Sequence, residues 1–287
     1  MVDFDPRITP ARGDVAAKFL EGKVQAQRFV EGRVRDVIAP QAPLRQRPLP
    51  DAPLDTEAIL GDRFVAYDEN GEGWSWGQLE SDSYVGWLPS VALGDVRAQP
   101  THRVAALRTF VFPGASIKLP PVESLPFGAR IRVVDLKGDF AVMAAGGFVP
   151  ARHLKPMGEC EADFVAIAER FVGTPYLWGG KTALGIDCSG LVQVALNAAG
   201  VEAPRDSDMQ ERGLGEPVGL RDGVSRLHRG DLLFWPRHVA IACDSSRIVH
   251  ANAFHMAVAI EPVHEAIHRI AEAGSALRSV RRIATTG

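Results

Sequence analysis

Two short stretches, GWLPSVAL (86–93) and GFVPARHL (147–154), share the pattern Gly-aromatic-aliphatic-Pro-x-x-x-Leu, 61 residues apart. Upstream, EAILGDRFVAYDENGEGW (57–74) resembles ESLPFGARIRVVDLKGDF (123–140) at an offset of 66. The first copy therefore carries about five extra residues in its last hairpin, near LESDSY. In each copy, short β-rich runs are broken by Asn-Gly, Lys-Gly or Gly-Gly turns. The repeat predicts two small β-barrels, over 36–98 and 99–156. The other reading of the same runs is one irregular β domain. The pattern resembles bacterial SH3-like domains, with Gly-Trp-Leu-Pro and Gly-Phe-Val-Pro as closing strand and turn.

Ahead of the repeat, Val15, Phe19, Val24, Phe29 and Val30 fall at mixed helical spacing, which predicts an N-terminal helical segment over 1–35. The proline-rich APQAPLRQRPLPDAPL (39–54) cannot be regular helix. The first residues, MVDFDPRITPARGDVAAKFL, hold early acids and no apolar core, unlike a secretory signal. Three widely spaced cysteines make no disulfide framework. Both features lead us to expect a reducing, cytoplasmic setting. In a chain of 287 residues with net charge −3, the signs are well mixed. No apolar run approaches the roughly 20 residues of a membrane helix. Neither nucleic acid nor a membrane is therefore expected as partner. No cofactor or metal is expected, and oligomeric state is left open.

After Pro156 the texture changes. EADFVAIAERFV (161–172) puts Phe164, Ile167, Ala168 and Phe171 on one helical face, ended by Gly173 and Pro175. CSGLVQVALNAAGV (188–201) carries a second stripe through Leu191, Val192, Ala195, Leu196 and Ala199. Strand-like runs follow at DLLFW (231–235), HVAIAC (238–243), RIVHA (247–251) and MAVAI (256–260). A helix is predicted over 262–273 and a last strand over 277–283. Helices first and antiparallel strands afterwards make 157–287 an α+β domain.

The start of the second helix concentrates the chemistry. TPYLWGGKTALGIDCSG (174–190) sets Cys188 after a Gly-rich loop, at a helix end where backbone N–H groups lack partners. Such a position favours thiolate, and attack on a carbonyl then needs a base. The same N–H groups can receive an oxyanion. HVAIAC and RIVHA, joined by Asp244-Ser245-Ser246, should pair antiparallel, which brings His238 and His250 nearly opposite each other. One histidine can then orient the other, the logic of a nucleophile, a base and an orienting group.

TPYLWGG, then DCSG, then LLFW–HVAIA, then IVHA, resemble in order and spacing the NlpC-type cell-wall cysteine peptidases. The resemblance covers about 157–285 and implies a papain-like fold of helices packed on an antiparallel sheet. It implies Cys188 as nucleophile, His238 as base, His250 as orienting residue, and Tyr176 beside the nucleophile to help hold the oxyanion. Ala240 stands where the family commonly has glycine. With two SH3-like domains ahead, the chain resembles the branch that cuts γ-D-glutamyl to L-diamino acid bonds in murein peptides with a free N-terminal L-Ala. That ammonium needs carboxylate and hydroxyl partners. Asp187 and Ser189 flank the nucleophile, and Asp206-Ser207 in PRDSDMQ match the branch's amine-binding pair. The branch also implies an acidic residue from the first SH3-like domain, here Glu80 or Asp82. A murein-derived peptide is the expected partner. Trp178, in the catalytic loop, is the tryptophan placed to touch substrate, whereas Trp74 and Trp87 read as barrel core.

Two other readings compete. His264-Glu265-x-x-His268 in VHEAIH has the spacing of a zinc-peptidase helix. Nothing after Glu272 can supply a third ligand, and Val263, Ile267 and Ile270 form an ordinary packing stripe. A murein-binding protein without catalysis is the other, and it has no use for Cys188, His238 and His250 together.

Overall fold

Alternation governs the first half of the chain. From Arg63 to Glu69 the even positions Phe64 and Ala66 are buried while their neighbours stay partly exposed, the period-two pattern of a strand with one face on a core. The computed structural model describes residues 4–219 and 224–283. The chain divides into two compact units, Met1–Glu159 and Cys160–Gly287.

In the N-terminal unit a seven-stranded sheet runs in the order Leu54–Ile59, Gln41–Arg45, Val85–Pro89, Trp74–Leu79, Arg63–Glu69, Arg33–Val37, Leu93–Gly94. It encloses Leu44, Ala58, Phe64, Leu79, Tyr84 and Leu88. The second repeat copy forms smaller sheets around Val104, Leu125, Ile131 and Val149. Leu60 contributes to this second core, and its carbonyl accepts from Arg130 N–H at 2.8 Å.

The two repeated Gly-aromatic-aliphatic-Pro segments share a local form. Val85–Pro89 leads through a 3-10 turn at Ser90–Ala92 into Leu93–Gly94. Phe148–Pro150 leads likewise through Ala151–His153 into Leu154–Pro156. The glycine of the second copy has two reasons to be one. Gly147 takes φ +91°, and a Cβ there would stand 2.4 Å from Val111 Cγ1.

Among the described residues of 1–35 the expected helical segment is not there. Val15–Ala17 and Arg28–Val30 are strands paired in parallel, with only a 3-10 turn, Lys18–Leu20, between them. Arg33–Val37 already belongs to the large sheet. Val15, Ala16 and Ala17 are all fully buried, a continuous apolar run that fits a strand covered on both faces. Among the tryptophans of the N-terminal unit it is Trp76 that is buried, while Trp74 and Trp87 are half-exposed. Trp76 pairs across the sheet with Trp87, and the Arg12 guanidinium lies 4.7 Å from both ring centres.

The C-terminal unit is α+β. Four α-helices occur among its described residues: α1 (Phe164–Arg170), α2 (Cys188–Ala198), α3 (Ser207–Gly213) and α4 (Val263–Glu272). Asp163 caps α1 by accepting from Val165 and Ala166 N–H, so the helix begins at Phe164, the first residue of the apolar stripe. The sheet contains β1 (Glu216–Val218), β2 (Asp231–Trp235), β3 (His238–Ala242), β4 (Arg247–Asn252), β5 (Ala257–Pro262) and β6 (Ser279–Arg282). Their order is β1-β6-β2-β3-β4-β5, and every pairing is antiparallel. All five residues of β2 are buried, and α2 packs against β3 and β4.

Replacing Gly147 with alanine should destabilise the full chain by about 1–3 kcal/mol, since the added methyl meets Val111 in a backbone conformation that alanine disfavours. A urea midpoint unchanged from wild type would contradict that reading of the turn.

Candidate active site

Cys188 is the first residue of α2, and Asp187 before it is the helix cap. Asp187 Oδ1 accepts from Gly190 N–H at 2.7 Å, and Oδ2 accepts from Gly179 N–H at 2.8 Å. One carboxylate thus ties the Gly-rich loop to the helix start. Close backbone packing keeps residue 190 a glycine: a Cβ there would lie 2.4 Å from the Gly180 carbonyl oxygen. The loop itself is strapped to β5. Tyr176 N–H donates to Met256 O at 2.9 Å, and Val258 N–H donates to Thr174 O at 2.8 Å.

Arg205 was not among the residues singled out by sequence, yet it organises this corner. It is 1% exposed and donates to both Asp187 oxygens, at 2.9 and 2.7 Å. It also donates to Ser189 Oγ at 2.9 Å. Asp187 and Ser189 therefore have a different task from the expected one. Their polar atoms are consumed by a buried charge, and they are not free to hold a substrate ammonium. The signal lay in PRDSDMQ, read there only for Asp206 and Ser207. Those two residues begin α3 directly after Arg205 and keep partly exposed side chains.

The sheet supplies the histidines. Asp244 accepts from the N–H of Ser246 and of Arg247, forming a three-residue loop closed by Cys243 and Arg247. The resulting register pairs Ile241 with Val249 and Ala242 with Ile248. It differs by one residue from the expected pairing and puts His238 and His250 on one face as diagonal neighbours. His238 Nε2 and His250 Nδ1 are 2.8 Å apart. The helix and the hairpin meet at the sulfur, because the Val239 backbone N–H is directed to the Cys188 thiol, one residue from His238.

Behind His250 the chain of contacts continues. His250 Nε2 lies 2.6 Å from Glu261 Oε1 on β5, and Glu261 is held in turn by Arg269 of α4. Neither residue was anticipated. Neither Glu261 nor Arg269 belongs to a motif; the pairing of β4 with β5 brings Glu261 to His250, and α4 brings Arg269 to Glu261.

Burial sets the protonation states. The Cys188 thiol is pushed up to about 12, chiefly by burial and then by the Asp187 charge. N–H groups of Val239 and Ser189 and the Arg205 charge pull the other way and lose. The expectation of a standing thiolate at the helix end is thus corrected: desolvation outweighs the dipole. His238 is pushed down to about 3 by burial, with His250 and Arg269 adding to the effect. At neutral pH, thiol and imidazole are both uncharged. Tyr176 is raised by burial and by the nearby Cys188 and Asp187, so its phenol keeps its proton and can donate. Trp178 is 55% exposed, with the Arg237 guanidinium 5.6 Å from its ring centre.

Glu80 and Asp82 occupy the turn between Trp74–Leu79 and Val85–Pro89, in the N-terminal unit. His264 and His268 are exposed on α4, and His268 Nδ1 lies 3.4 Å from Glu272. The zinc-helix spacing is therefore a solvated face. His250, His255 and Glu261 do bring ligand atoms within 4.8 Å of one another. The His250 hydrogen bond and the Arg269 cation already satisfy that carboxylate.

Residues 173–271 match the model of the NlpC/P60 family, and residues 44–93 match that of the bacterial dipeptidyl-peptidase SH3 domain. The C-terminal unit carries an NlpC/P60 domain. Proteins similar to the chain are named as peptidases. The SH3 match covers the first repeat copy. Over 88 residues the chain is 43% identical to Dipeptidyl-peptidase 6 of Lysinibacillus sphaericus, covering 31% of each protein. Gamma-D-glutamyl-L-lysine dipeptidyl-peptidase of Bacillus cereus is 25% identical over 247 residues, covering 74% of this chain and 71% of that one. Among solved structures, an NlpC/P60 family protein from Bacillus cereus ATCC 10987 superposes with TM-score 0.73 at 19% identity. That likeness covers 87% of this chain and 99% of the other and is one of fold.

Two outcomes follow for the NlpC/P60 domain. Arg205→Met should cost about 3–5 kcal/mol in urea unfolding, because it strands the buried Asp187 charge; a loss below about 1 kcal/mol would show that the pair holds nothing. Because His238 titrates near 3 in the fold rather than near 6.5, its contribution to stability is present above 6.5 and is lost as pH falls from 6.5 toward 3. The thermal midpoint of His238→Asn should fall less steeply than that of wild type over this range.

Proposed function

We propose that this protein is a cysteine endopeptidase that hydrolyses the γ-D-glutamyl to L-diamino acid bond of murein peptides. The observation that carries this reading is the Val239 N–H directed to the Cys188 sulfur, one residue from His238, which is joined to His250 at 2.8 Å. The papain-like placement of a buried helix on an antiparallel sheet supports it. The names of the similar dipeptidyl-peptidases support the bond chosen.

The chemistry starts from the uncharged pair. As Cys188 Sγ forms its bond to the γ-carbonyl carbon of D-Glu, its proton passes to His238. The oxyanion that develops faces the Cys188 N–H at the start of α2 and the Tyr176 phenol. Collapse breaks the C–N bond, and His238 returns the proton to the departing diamino-acid amine. Water, deprotonated by His238, then attacks the thioester and frees the thiol. His250 orients His238 throughout. A buried thiol that ionises only during attack also resists adventitious oxidation, since reactivity follows thiolate character and exposure.

For the N-terminal L-Ala ammonium, Asp206 and Ser207 are the proposed partners. Arg205 anchors them beside the nucleophile, and unlike Asp187 they keep accessible side chains. Trp178 is proposed to touch the substrate. The second repeat copy is proposed to be SH3-like as well, supported by its matching strand, 3-10 turn and strand. Three widely spaced cysteines, which make no disulfide framework, fit action on small released peptides in the cytoplasm, in wall-peptide recycling.

Mass spectrometry of products from L-Ala-γ-D-Glu-diaminopimelate should show L-Ala-γ-D-Glu and free diaminopimelate. Cys188→Ala should give none while still binding the tripeptide. Acetylation of the tripeptide's amine should raise KM or stop cleavage. Full activity of Cys188→Ala would sink the mechanism, and equal rates on free and acetylated peptide would remove the amine pocket.

A further inference from the structure

We propose that Glu261 and Arg269 are positioning residues for the base: the Glu261 carboxylate, fixed by Arg269, dictates which nitrogen of His250 carries the proton and so which nitrogen of His238 is left free. The inference rests on the reading of His238 as base.

The argument is one of donors and acceptors. A carboxylate only accepts, so the 2.6 Å contact requires His250 Nε2 to carry a proton. Burial keeps His250 uncharged, its pKa lowered despite the carboxylate, so its Nδ1 is bare and must accept. The 2.8 Å contact then requires His238 Nε2 to be the donor. His238 is itself neutral, which leaves Nδ1 as its only lone pair. Reversing one proton at His250 would put two acceptors, or two donors, face to face at one of these contacts. Each link sits on a different element of the sheet side: β3, β4, β5 and α4.

Arg269 keeps the anchor ionised. Burial works against the charge of Glu261, but the His250 hydrogen bond and the Arg269 charge hold its carboxyl below the usual range. The Arg269 guanidinium is itself seated 4.2 Å from the centre of the Phe254 ring. When His238 becomes an imidazolium during attack, its charge is stabilised by Glu261 through His250 and opposed by Arg269. The other groups in this surrounding are His255, from the turn before β5, and Cys188 of α2.

The two residues therefore pull the base in opposite directions, which a merely structural role would not do. In the full chain acting on the tripeptide, Glu261→Gln should lower kcat at least about tenfold with KM within twofold, and move the acid limb of the kcat profile to lower pH. Arg269→Met should move that limb to higher pH. Nitrogen NMR of histidine-labelled wild type should show His250 protonated on Nε2 and bare on Nδ1, and His238 protonated on Nε2. Limbs that stay put or move the same way would overturn the proposal. So would a His250 proton on Nδ1. The NMR assignment needs no substrate and no variant. A wild type inert on the tripeptide would defeat the substrate reading, while the tautomers would still decide this one.

Discussion

A single buried ion pair, Asp187 with Arg205, holds the active corner together. The carboxylate caps the helix that begins with Cys188, grips the Gly-rich loop at Gly179, and neutralises a guanidinium that is 1% exposed. A cap and a charged pair usually sit on the surface, where each contributes about 1 kcal/mol or less. Here both roles fall on one residue inside the fold. Removing either partner strands a charge out of water, so the loop, the helix start and the approach to α3 stand or fall together. The position of Cys188 is a consequence of this pair more than of any contact its own sulfur makes.

The same burial decides the resting chemistry. A helix N-terminus lowers a thiol's pKa when the thiol is solvated, but Cys188 is enclosed and lies next to the Asp187 charge. Desolvation is the larger effect, and it acts on His238 in the opposite sense. The site is thus at rest as an uncharged pair. In the proposed mechanism, charge separation waits until a carbonyl is present to take the sulfur's electrons, and Glu261 behind His250 then answers the new positive charge.

Much of this was legible in the residues. The stripe from Leu191 to Leu196 marked α2, the Gly-rich run marked its approach, and the hairpin around Asp244 aligned two histidines. The repeat showed a shared local pattern, and the strand, 3-10 turn and strand at 85–94 and 148–156 are its physical form. The first 35 residues were misread because Val15 to Ala17 are too few to show a period. A three-residue buried strand and one turn of helix look the same in sequence. The histidine register was off by one because the turn's span depends on which N–H groups Asp244 accepts.

What the sequence determined by itself is local: where the chain turns, which runs are buried on one face, and which residue heads the helix. These follow from side-chain periodicity and backbone freedom over a few neighbours. Only the tertiary structure decided that Arg205 occupies Asp187, that Glu261 and Arg269 stand behind His250, and that the thiol rests protonated. Each of those depends on distance and on exclusion of water between residues far apart in the chain, and Coulomb energy and desolvation have no signature in a linear order of letters.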